Sequence, residues 1–254
     1  MVFDTVCAVP WYRVKAGEEV ALMAALPAAG VEHLAAPPSF AAPGRLEAMV
    51  RLAAANGLDF TAAHAQLDAP CDLGCADEAA LAAHRRYLER LAAVGVRSCV
   101  FHSGSHQSPL PPPEFAARFR RNLERLLELA DGLPVVLAVE NVYEPLPLLE
   151  ALIAEVAAVG APSSRLGMCF DSGHANIHPA GSEAVFVRMR PYVVTCHLHD
   201  NDGVSDQHLP PGEGKIDWPR LAAALRQCAL IHMESEFRVL PTPEIWRRFL
   251  ALTA

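Results

Sequence analysis

The chain has 254 residues, 52% of them apolar, and a formal net charge of −8. That length suits one large domain or two small ones and leaves ample material for a buried core. With only Lys15 and Lys215 as lysines beside the arginines, and 29 acidic residues, the charge balance argues against a dedicated polyanion binder. No uninterrupted apolar run reaches the roughly 18 residues of a membrane span. The opening MVFDTVCAVPWYRVK lacks a basic segment followed by an apolar one. Neither a membrane span nor a signal peptide is expected, and the expected location is the cytoplasm. Seven cysteines at irregular spacings, several inside apolar runs (Cys99, Cys169, Cys196), read as reduced and buried. Cys71 and Cys75 in CDLGC have no second pair to complete a zinc or redox motif.

Taken in chain order, short apolar or β-branched runs alternate with longer segments of helical period. The strand candidates are FDTVCAV, VEHLAAP, LDFTAAH, VRSCVFH, PVVLAVE, SRLGMCFD, YVVTCHLHD and ALIHMES. The intervening helices are predicted over Glu18–Ala29, Arg45–Asn56, Asp77–Val94, Glu114–Ala130, Pro147–Val159, Ser182–Met189, Trp218–Cys228 and Pro243–Leu252, several followed by a glycine stop. Eight β-α units with short connections predict an α/β fold, a closed (β/α)8 TIM barrel forming a single domain over residues 1–254. The competitor, a doubly wound open sheet, lacks a Gly-rich phosphate turn after its first strand.

In such a barrel the active site gathers at the C-terminal ends of the strands. The last inward residues there are His64, His102, Glu140, Asp171, His197 and Glu234, one per β-α unit from the third strand to the eighth. Strand alternation also puts His199 on the face of His197. So many carboxylates and imidazoles at one mouth need compensation, and a divalent cation is the simplest. The donor types suit Zn, Mn, Co or Fe, with Mg also compatible. From the loops, DSGHANIH offers His174 and DQH offers Asp206 and His208 as additional ligands, whereas His106, His178 and His232 read as loop or core histidines. Glu236 shares the face of Glu234 in MESE and is the alternative eighth-strand ligand.

The stretches VFHSGSH, LAVEN, GMCFDSGHA, HLHDNDG followed by DQHLPPGEGKIDW, and HMESE make the chain resemble the xylose isomerase-like barrel superfamily. That superfamily contains sugar and sugar-phosphate isomerases and epimerases together with the endonuclease IV group of apurinic-site repair enzymes. The resemblance implies Glu140, Asp171, His197 and Glu234 as ligands of one ion in an isomerase. In an endonuclease-like protein, His64, His102, His174, Asp206 and His208 would join them to hold up to three ions. It further implies Glu140 and Glu234 as the acid/base pair acting through a metal-stabilised enediolate, and a homo-oligomer.

The mouth loops decide between these branches. PPSFAAP, AQLDAPCDLGCAD and SGSHQSPLPPP are neutral or acidic, and Arg13, Lys15, Lys215 and Arg238 are the only mouth cations. A DNA enzyme needs a cationic track, so nucleic acid is disfavoured as a partner. The expected function is therefore a metal-dependent isomerase or epimerase of a small sugar or sugar phosphate, in carbohydrate metabolism. A zinc-dependent apurinic-site phosphodiesterase is the first alternative, and a non-catalytic metal- or ligand-binding barrel the second. His174, His199, Lys215 and Arg238 are expected to contact substrate, with Trp11, Tyr12 and Phe40 as its apolar wall.

Overall fold

Along LGMCFD the small or ionisable side chains Gly167, Cys169 and Asp171 alternate with the large apolar Leu166, Met168 and Phe170, and the two sets go to opposite sides of the sheet. In the computed structural model, which describes residues 4–67 and 70–253, the eight strands close into one parallel barrel in sequence order. They are β1 (Asp4–Ala8), β2 (His33–Ala36), β3 (Asp59–His64), β4 (Ser98–Phe101), β5 (Val136–Glu140), β6 (Leu166–Asp171), β7 (Val193–Leu198) and β8 (His232–Glu236). Closure comes from β8 pairing with β1 over the full register Asp4↔His232 to Ala8↔Glu236. Phe3 of the expected first strand, and Asp68 and Ala69 of the loop after β3, lie outside the described residues. The expected TIM barrel is the observed fold.

On β5, Ala138 packs inside the barrel with Val100, Cys169 and Val194, while Leu137 and Val139 face the helices. Val6, Ala35 and Ala62 fill the interior beside β1 to β3. The larger cluster lies between barrel and helices, where Phe60, Phe101, Met168, Phe170 and Leu198 meet Phe115, Phe119, Leu123 and Trp246. Small interior side chains leave the barrel core narrow, so the ionisable residues sit on top of a packed plug rather than over a pore.

Helix positions follow the predicted pattern with explicable shifts. They are α1 (Glu19–Ala25), α2 (Arg45–Ala54), α3 (Glu78–Ala93), α4 (Pro112–Leu129), α5 (Leu146–Ala158), α6 (Ser172–Ile177), α7 (Ser182–Met189), α8 (Trp218–Leu225) and α9 (Pro243–Thr253). The helix predicted to run to Ala29 stops at Ala25 and continues as a 3-10 turn over Pro27–Ala29, because Pro27 brings no N–H and crowds the preceding turn. Conversely, α4 begins two residues earlier than predicted, since Pro112 occupies a first-turn position where its missing N–H is harmless. Among the described residues, no helix is long and apolar enough to cross a membrane.

Phe119 is fully buried between α4 and the barrel wall. Phe119→Ala should lower the unfolding free energy by roughly 3–5 kcal/mol in urea denaturation, and a loss under about 1 kcal/mol would contradict this packing.

Candidate active site

Glu140, the last residue of β5, is 3% exposed and is ringed by imidazoles from four other segments. Its Oε2 lies 3.2 Å from His64 Nε2 and 3.1 Å from His102 Nε2. Its Oε1 lies 3.3 Å from both His174 Nδ1 and His197 Nδ1. Burial pushes the Glu140 carboxyl up, but His197 and His102, with hydrogen bonds from His102 and His174, outweigh it and hold the carboxyl well below the usual carboxylate range. The reciprocal effect acts on His174: burial pulls its pKa down, yet Asp171 and Glu140 raise it to about 10. Burial pulls on His102 in the same way, and Glu140 again prevails and raises it.

Asp171 ends β6 and caps α6, accepting the His174 N–H on Oδ1 at 2.7 Å. That cap is why DSGHA forms a short helix where the sequence suggested only a turn, and it fixes His174 beside Glu140. Asn141 reaches from the end of β5 to bracket Asp171, accepting its N–H at 2.8 Å and donating to its carbonyl at 3.1 Å. Oδ2 of Asp171 is 3.0 Å from His199 Nε2. The residue after Ser172 has to be glycine, because a Cβ on Gly173 would stand 2.0 Å from His199 Cε1.

On β8 the two candidate glutamates lie on different sides of His197. Glu236, the alternative eighth-strand ligand, joins Asp171 and His197 in one set of donors, with Oε2 3.8 Å from His197 Nδ1. Glu234 lies on the other side of the His197 ring, with Oε2 3.9 Å from Nε2. Burial, reinforced by Glu236 and Glu140 against the pull of His197, raises the Glu234 pKa to about 8.

A cavity of about 710 Å³ opens above this cluster. Trp11, Tyr12, Pro37, Leu67 and Phe237 form its apolar wall, and His64, His208, Glu234, Glu236, Arg13 and Arg238 its polar lining. Arg238 also approaches Asp206 at 3.6 Å. Three expected substrate contacts fall elsewhere. Phe40 is buried behind Trp11, with ring centroids 5.5 Å apart, and does not reach the cavity. Lys215 is placed outside the cavity, its charge acting on Asp202. His199 is fully buried under Asp171 with its ring stacked on His208, so it meets no substrate-accessible space. As expected, His232 is a core residue, pushed down to about 3 by burial and Arg97. His178 hydrogen-bonds the Glu144 carbonyl, and His106 pairs with Gln107.

Tyr143 is a site residue that sequence reasoning missed. It follows Glu140 in NVYEP, and its ring sits edge-on to both His106 and His174. Its hydroxyl is 3.5 Å from Asp206. The available signal was its place in the loop directly after an inward glutamate, at the face where barrel sites form.

Among the described residues four donor sets emerge: His64, His102 and Glu140; Glu140, Asp171 and His174; Asp171, His197 and Glu236; and His199, Asp206 and His208. Within each, one donor atom per residue lies within 4.8 Å of the others. Both ring nitrogens of His197, Nδ1 of His199, Oδ1 of Asp206 and Oε2 of Glu234 are buried without a hydrogen bond. Carboxylates and imidazoles converging with unsatisfied lone pairs fit divalent cations of the zinc or manganese type.

Ionisable residues at the C-terminal ends of six strands define the site as that of a TIM-barrel protein in the arrangement such proteins use for active sites. The chain belongs to the xylose isomerase-like TIM barrel family, whose pattern it matches over residues 20–248. It is 30% identical to the fructoselysine 3-epimerase of Escherichia coli O157:H7 over 117 residues, 45% of this chain and 42% of that one. The curated relatives it matches are covered over only 20% to 42% of their own length. Among solved structures it resembles the TTHB071 protein of Thermus thermophilus soaked with ZnCl2, with TM-score 0.68, 27% identity, and 99% and 98% of the two chains covered. It also resembles the fold of a 3-keto-D-glucoside 4-epimerase from E. coli, with TM-score 0.76, 16% identity, and 99% of each chain covered.

Two outcomes follow from this geometry. Because His174 and His102 hold protons above the ordinary histidine range, cation uptake at pH 7 must displace protons, and apparent affinity should climb with pH toward about 10. Calorimetric zinc titrations in buffers of different ionisation heat would show this release, and uptake without it would contradict the charge state. Gly173→Ala should destabilise the protein by roughly 1–3 kcal/mol through displacement of His199, and an unchanged melting temperature would contradict the close packing.

Proposed function

We propose that the protein is a metal-dependent isomerase or epimerase of a small sugar or sugar derivative. The observation that carries this reading is the pair of buried glutamates flanking His197 beneath the cavity, Glu140 Oε1 3.3 Å from its Nδ1 and Glu234 Oε2 3.9 Å from its Nε2, with Glu140 held down by its imidazole neighbours and Glu234 pushed up by burial. Moving a proton off and back onto a carbon beside a carbonyl needs one group that accepts and one that donates. Glu140 takes the proton, leaving an enediolate, and Glu234 returns a proton at the other position or face. Asp171, His197, Glu236 and Glu140 would hold the divalent ion, which supplies Lewis-acid polarisation of the carbonyl and hydroxyl oxygens. Asn141 and His199 keep Asp171 in place, and Trp11 and Phe237 exclude water from the apolar side of the substrate.

The cavity and the activities of the epimerases that share the fold support a sugar-sized substrate. Among the described residues that line the cavity, Arg13 and Arg238 are the only lysines or arginines, which supports the same choice over a duplex. One observation favours a second reading: the donor sets extend to His64, His102, His199, Asp206 and His208, enough for further ions and for a zinc-dependent phosphodiesterase.

Glu140→Gln and Glu234→Gln should each lower kcat on a ketose panel by about 10²–10⁴-fold with the circular dichroism spectrum unchanged. Near-normal turnover in either variant would refute the acid/base assignment. Incision of an abasic-site duplex, lost in His64→Ala and His208→Ala, would place the second reading first.

A further inference from the structure

Asp206 and His208 are carried by the loop joining β7 to α8, and the root of that loop is Asp200. The Asp200 carboxylate is fully buried and accepts four N–H donors. Oδ1 accepts from the backbone of Asn201 at 2.9 Å and of Ile216 at 3.1 Å. Oδ2 accepts from the backbone of Gly212 at 2.9 Å and from the indole Nε1 of Trp218 at 2.8 Å. One side chain thus clasps both ends of the loop. The PPGEG turn closes onto it because residue 214 is glycine: a Cβ there would stand 2.3 Å from Asp200 Oδ1 and 2.3 Å from the Asn201 carbonyl oxygen.

The clasp reaches the ligand pair through the backbone. Asp200 and Leu209 exchange N–H···O bonds of 2.7 and 2.8 Å, which pins the residue directly after His208. His208 has φ of +51°, alone among the described non-glycine residues in being positive. An L residue remains in that region only where its surroundings over-determine it. Besides Leu209, the constraints are the Arg238 N–H on the His208 carbonyl at 3.0 Å and the His208 ring, with Nδ1 2.9 Å from the Glu236 carbonyl and Nε2 2.9 Å from Asp206 Oδ2.

We infer that Asp200 is a positioning residue whose four-donor clasp holds Asp206 and His208 as a preformed pair of ion ligands, an inference that rests on reading those two as ligands. Asp200 itself lines neither the cavity nor any donor set. Its carboxylate is acceptor-only, whereas an isosteric amide would point two N–H donors at groups that are already donors.

The test is zinc binding to the whole chain, counted by elemental analysis and titrated for affinity, with Co²⁺ absorption as a second readout. His208→Ala should lose one ion relative to the parent. Asp200→Asn should keep the remaining ions, weaken that same ion by about tenfold or more, and alter the Co²⁺ spectrum, in line with the effect of outer partners on metal affinity. Trp218→Phe removes one donor of the four and should weaken the ion in the same direction by a few-fold, which keeps the test valid if Asp200→Asn folds poorly. Parent-like affinity and spectrum in both Asp200→Asn and Trp218→Phe, with the ion lost in His208→Ala, would overturn the positioning role. No loss of an ion in His208→Ala would instead overturn the reading beneath it.

Discussion

The arrangement depends on one unfavourable act, the burial of a carboxylate at the C-terminal mouth of a barrel. Glu140 cannot remain ionised there without partners, and the barrel supplies them by bringing one imidazole from each of four other strand ends or loops. Glu140 raises the proton affinity of His102, His174 and His197 in return. A cation entering the cluster therefore competes with protons on those rings.

Around this centre the supporting structure is rigid and local. Asp171 serves at once as a helix cap, a partner of His199 and a neighbour of His174, so its rotamer is set from three sides. Asn141 is tied to Asp171 through two hydrogen bonds, which couples the ends of β5 and β6. Asp200 performs the corresponding task for the loop after β7. The polar residues behind the donors are thus held in place as firmly as the donors themselves, which is the usual condition for a site fixed to fractions of an ångström.

Much of this was legible from sequence. Alternation in YVVTCHLHD put His197 and His199 on one face, and repetition of one β-α unit placed Glu140, Asp171 and His197 at one mouth, where the structure has them. Alternation could not rank Glu234 against Glu236, since both lie inward and only their positions relative to the His197 ring separate them. Nor could it show that His199, correctly put on the face of His197, would be covered by its stacking on His208. The roles of Asp200, Gly173 and Gly214 depend on contacts between segments that are distant in the chain or folded back across a loop. The motifs DSGHA and PPGEG announced that something was constrained there, not what it touched.

The central claim is that Glu140 and Glu234 exchange protons with a carbon beside a carbonyl. It is tested most directly by incubating the metal-loaded protein with ketoses in D2O and following the substrate by NMR. The account predicts deuterium appearing at that carbon together with the epimer or isomer, and loss of both in Glu140→Gln. Product formation without deuterium entering from solvent, or exchange that is undiminished in Glu140→Gln, would contradict it.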